Sequence, residues 1–110
     1  MLIGTTPSYS WTLPVDSSNI STLKITYTQN NESVLVKRKD ECDLTGKKLS
    51  VTLKQEETFL FQERLNGKKK GIGVVQVRAL TNDGQVIGTV PRSFGIVNCN
   101  DNEVLKNDSD

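Results

Sequence analysis

Histidine is missing from this chain of 110 residues, and cysteine occurs only twice. Without imidazole there can be no His-dependent triad, no His ligand for zinc, and none of the commonest general base. Two cysteines, Cys42 and Cys99, are too few for a disulfide framework or a thiolate metal centre. With no imidazole or helix N-terminus to lower a thiol pKa, neither is expected to act as a nucleophile. The first residues carry neither a basic n-region nor an apolar h-region, so no signal peptide is expected. No apolar run approaches the ~20 residues of a membrane span, which removes a membrane as a predicted partner. The expectation is cytoplasmic synthesis with reduced thiols.

An excess of one charge sign is also missing. The net charge of +1 provides no long-range basic field, so nucleic acid is not an expected partner. The distribution is nevertheless uneven. Residues 17–100 hold 13 basic and 8 acidic groups, whereas the last ten hold Asp101, Glu103, Asp108 and Asp110 against Lys106. A mildly basic body with an acidic tail follows.

Sustained helical periodicity is absent too, and strand periodicity takes its place. Tyr9, Trp11 and Leu13 alternate with polar residues before Pro14, which suits an edge strand. Two aromatics spaced this way read as core rather than as a binding platform. Leu23, Ile25 and Tyr27 face one way, with Thr22, Lys24, Thr26 and Thr28 on the other side. Asn30-Asn31 turns the chain, and Val34 and Val36 resume the alternation until Lys37-Arg38-Lys39 emerges. Residues 40–48 read as a loop with a Thr45-Gly46 turn. Leu49, Val51 and Leu53 form the next strand, and residues 55–58 read as a corner where the chain crosses sheets, pinned by Phe59 or Phe61. Asn66-Gly67 predicts a tight hairpin turn carrying Lys68, Lys69 and Lys70. Val75, Val77 and Ala79 are the inner set of a strand that turns at residues 81–84. The predicted fold is all-β: one immunoglobulin-like sandwich of about seven short antiparallel strands. Its parts are an extended arm (1–8), a sandwich domain (9–98) and an acidic mobile tail (99–110).

No constellation of residues specifies catalysis. The glycine-bounded lysines 68–70 precede a strand, whereas a phosphate loop needs its lysine at a helix start. Glu56 and Glu57 diverge in a turn, so with Glu63 they read as surface acids. Residues 40–43 lack the ligand spacing of a calcium loop. No catalytic residue, cofactor or metal is expected.

Several segments together carry a resemblance. They are Gly4-Thr5-Thr6-Pro7, Trp11-Thr12-Leu13-Pro14, Leu23-Lys24-Ile25-Thr26-Tyr27-Thr28-Gln29, Leu53-Lys54-Gln55-Glu56-Glu57-Thr58, Val75-Gln76-Val77-Arg78-Ala79-Leu80-Thr81 and Asn102-Glu103-Val104-Leu105. In this order they resemble small proteins encoded in the structural-gene regions of tailed phages and prophages of Gram-positive bacteria. More distantly, the chain is similar to the N-terminal β-domain of phage upper baseplate proteins. The resemblance implies a non-enzymatic virion protein, made in the host bacterial cytoplasm, that contacts other phage structural proteins or further copies of itself. Thr5, Thr6 and Pro7 would then add an extended segment to a neighbour, and Lys68, Lys69 and Lys70 would meet an acidic surface. Residues 62–73 depart from the family pattern by lengthening a usually short connection. The alternative is a small phage-encoded inhibitor of a host protein or nucleic-acid complex, with the lysines as its contact.

Overall fold

In the computed structural model, which describes residues 1–107, the chain forms two antiparallel sheets. The first contains β1 (Ser8–Thr12), β4 (Asp43–Thr45) and β5 (Lys48–Thr52), in the order β1-β5-β4. The second is built on β2 (Ile20–Gln29), β3 (Glu32–Arg38) and β6 (Lys70–Thr81), in the order β3-β2-β6. Two short strands, β7 (Val86–Gly88) and β8 (Arg92–Val97), pair with opposite ends of β6. The all-β expectation holds at the level of two antiparallel sheets.

Alternation accounts for the central strands. Leu23, Ile25 and Tyr27 of β2 pair with Ala79, Val77 and Val75 of β6, and all six are buried. Trp11, Leu49 and Val51 of the smaller sheet join the same core. Tyr9 and Trp11 stack with ring centroids 6.4 Å apart, and Tyr9 meets Tyr27 edge-on at 5.5 Å. The first pair lies along β1 and the second joins the two sheets, each adding ~1 kcal/mol beyond area burial. Both asparagines of the β2–β3 turn have positive φ, as a two-residue hairpin loop requires.

Four details differ from the expected layout. The loop at residues 40–48 contains β4, which pairs with β5 through the Gly46 turn. β3 carries a bulge: Tyr27 lies opposite Leu35 and Thr28 opposite Ser33, so Val34 is the extra residue. The bulge turns Lys37 inward, leaving it only 4% exposed, where it had been expected to emerge into solvent. Residues 55–65 form helical turns, namely α1 (Gln55–Thr58) and two 3-10 turns, Phe59–Phe61 and Glu63–Leu65. Here Phe61 is fully buried while Phe59 is only half-buried, so Phe61 is the pin of the corner. Asn66 and Gly67, both at positive φ, end the last helical turn rather than joining two strands.

The N-terminal residues lie against the body. Ile3 is fully buried, and its N–H donates to Val97 O at 3.0 Å. Val97 N–H donates back to Met1 O at 2.8 Å, making a short parallel bridge on the free edge of β8. Further on, Gly4 N–H donates to Thr58 Oγ1 at 2.8 Å, and Leu53 N–H donates to Pro7 O at 2.9 Å. Residues 1–7 therefore cross from the larger sheet to the end of the smaller one. Beyond β8, Asn98 N–H donates to Lys69 O. Leu105 exchanges two backbone hydrogen bonds with the Gln55 side chain, at 2.8 and 3.1 Å. The tail acids Asp108 and Asp110 lie outside the described residues.

Candidate functional site

The two groups of residues expected to meet partners arise from adjacent backbone segments. Lys70 lies opposite Val97 in the β6–β8 ladder, and Leu2 bridges to the other side of Val97. The lysine segment and the root of the N-terminal segment thus flank the last residues of β8. Thr5 and Thr6 are exposed between two anchors, the Val97 bridge and the Pro7 carbonyl, while Pro7 is half-buried. Thr5 Oγ1 donates to Leu2 O at 2.6 Å, which fixes the bend. Lys68, Lys69 and Lys70 are all exposed. No hydrogen bond or ion pair among the described residues joins the threonines to the lysines.

Beside the lysines is a polar cleft of about 260 Å³, lined by Lys68 and Lys70 together with Gln29, Asn30, Arg64 and Ile72. Three cations converge there: Arg64 from the last helical turn, Lys68 from the connection, and Lys70 from the start of β6. Arg64 is held by its own hydrogen bond to Leu60 O, and Asn30 Nδ2 donates to Arg64 O. The nearest carboxylate oxygen, on Glu32, is 3.7 Å from Arg64 Nε, which is beyond hydrogen-bond reach. Gly71 also lines the cleft, and a Cβ there would come within 2.6 Å of Leu65 Cδ2. Gln29 and Arg64 were not among the expected site residues. Parity along β2 places Gln29 inward with Leu23, Ile25 and Tyr27, a signal that was readable. Arg64 joins the lysines only because residues 63–65 coil.

An apolar patch continues from the cleft. Ile72, 69% exposed, shares the outer face of β6 with Lys70. Val97 sits opposite Lys70 on that face, and Leu2 lies beside Val97; both are exposed. The result is an apolar strip edged by cations.

Glu57 has a structural role, and the Cys42 thiol is partly buried. Glu57 Oε1 accepts from Lys54 N–H at 2.8 Å, capping the corner, and its other oxygen pairs with Lys37. Burial, reinforced by Glu41, pushes the Cys42 thiol up to about 11. Burial likewise raises the phenols of Tyr9 and Tyr27. Among the described residues, no three His, Cys, Asp or Glu side chains gather as a metal site. No described helix is long and apolar enough to cross a membrane. Comparison with protein-family models, curated proteins and solved structures finds no match.

Proposed function

We propose that this chain is a non-enzymatic structural protein of a phage virion, in the tail, baseplate or capsid, acting through protein–protein contacts. The observation that carries the contact role is the apolar strip Leu2–Val97–Ile72 with Lys70, Lys68 and Arg64 along its edge. An apolar centre with a charged rim is the anatomy of a protein interface. The cations orient an approaching acidic partner and speed its association, and the apolar residues supply the desolvated contact. Thr5 and Thr6, displayed between two anchors, lie on the chain segment that leads from this strip. Met1 and Ile3 already spend their main-chain groups on Val97, so the partner meets side chains here rather than an added strand. The phage assignment itself rests on the ordered sequence resemblance.

Two antiparallel sheets around one core support an immunoglobulin-like sandwich as the finer architecture, a fold common in modules that work by docking. The partners are other phage structural proteins or a second copy of the chain. Mass spectrometry of density-purified virions tests this reading. The polypeptide should be recovered in a fixed ratio to the major capsid protein, and virions devoid of it would refute the assignment.

A further inference from the structure

The outer face of the larger sheet carries a second feature, separate from the strip. Lys24 of β2 lies directly opposite Arg38 of β3 on one side and Arg78 of β6 on the other. Three cations therefore stand side by side across three neighbouring strands, on one face. Like charges directly opposite each other destabilise a sheet. Nothing among the described residues relieves them, since the ion pairs there involve only Lys37 and Arg64. The next strand offers no side chain at this level, because Gly88 is the residue opposite Arg78. One step along the strands, Leu80 and Val86 face each other, 39% and 62% exposed. The cations and this apolar pair line one depression of about 250 Å³.

We infer that this face binds an acidic segment of a partner protein, with carboxylates over Arg38, Lys24 and Arg78 and an apolar side chain against Leu80 and Val86. Charge complementarity sets the sign of the occupant, and the apolar pair sets its class. A nucleic-acid strand would meet the cations but would want aromatic rings for its bases. The buried rings of Trp11, Tyr27, Phe61 and Phe94 are all in the core. A peptide that alternates acidic and apolar residues uses both halves of the depression. This inference does not depend on the phage assignment, because it rests on strand register, exposure and the lining of the depression.

The test uses the full chain and a fluorescein-labelled peptide of alternating glutamate and leucine, with fluorescence anisotropy as the readout. Combined Lys24→Gln, Arg38→Gln and Arg78→Gln should weaken binding about tenfold or more. The same variant should melt at or above the wild-type temperature, because like-charge repulsion has been removed. A Lys47→Gln, Lys48→Gln variant, which alters two exposed lysines of the smaller sheet, should bind the peptide within about twofold of wild type. Any of four results would overturn the inference: no binding by wild type, equal binding by the Lys24, Arg38 and Arg78 variant, a lower melting temperature for that variant, or loss of binding in the Lys47 and Lys48 variant. Tighter binding of a labelled oligothymidine than of the peptide would also overturn it, reassigning the face to nucleic acid.

Discussion

Lys37 on β3 and Glu57 in α1 form an ion pair with the lysine side chain 5% and the glutamate side chain 18% exposed. This pair ties the edge strand of the larger sheet to the corner through which the chain leaves the smaller one. Glu41 Oε2 stands second, 3.8 Å from Lys37 Nζ. A lysine this deep is tolerable only while its charge is matched.

Removing the match should therefore be expensive. Glu57→Gln is expected to cost about 3 kcal/mol, the typical penalty for stranding a buried charge. Lys37→Met combined with Glu57→Gln should return to within about 1 kcal/mol of wild type, because the charge is gone from both sides. Urea denaturation of the two variants makes the comparison. A double variant as weak as the single one would show that the pair is incidental.

Gly73 lies opposite Phe94 in the β6–β8 ladder, and the ring covers the glycine. A Cβ at residue 73 would come within 2.8 Å of Phe94 Cε1. Gly73→Ala should cost roughly 2 kcal/mol through overpacking, and Phe94→Leu in the same chain should recover part of it. Thermal melts of the single and double variants give the coupling.

The buried Thr58 hydroxyl accepts from Gly4 N–H and donates to Gln55 O at 2.7 Å. Thr58→Val keeps the shape but strands the Gly4 donor, at about 1–3 kcal/mol. Loosening should begin at the N-terminus. Amide exchange at Gly4, Ile3 and Val97 should accelerate more than exchange in β2 or β6, and uniform acceleration would contradict the tether.

Only the thiolate of a cysteine alkylates, and burial holds Cys42 protonated up to about pH 11. Iodoacetamide should label Cys42 more slowly in the folded protein than in urea, with the folded rate still climbing above pH 9. The linkage has a definite sign. Below the ordinary thiol pKa of about 8.5, the unfolded thiol is protonated too, and the stability is present in full. As pH rises toward 11 the unfolded chain ionises first, and stability is lost. Cys42→Ser should abolish that part of the alkaline decline.

The features legible in the sequence were those governed by local rules. Parity along β2 and β6 located the inner residues, and Asn30-Asn31 located a hairpin because asparagine accepts positive φ. The misread features depend on distant partners. Val34 and Val36 look like inner residues until the bulge at Val34 shifts the register and brings Lys37 inward. Without sight of Glu57, nothing local permits a buried lysine. Asn66-Gly67 serves a hairpin or a helix end equally well, and here it ends the coil that buries Phe61 and Leu65. The cation cleft was half visible: Lys68 and Lys70 were identified, whereas Arg64 reaches it only through that coil.

The central claim is that the strip Leu2–Val97–Ile72 docks the protein into a virion, and its most direct test is incorporation. Virions assembled with wild-type protein and with an Ile72→Asp, Val97→Asp variant should be purified and the protein quantified by mass spectrometry. Both substitutions are at exposed positions, so circular dichroism should show the variant folded. Wild type should copurify in a fixed ratio, and the variant should be depleted at least tenfold. A folded variant incorporated as fully as wild type, or virions lacking the wild-type protein altogether, would contradict the account.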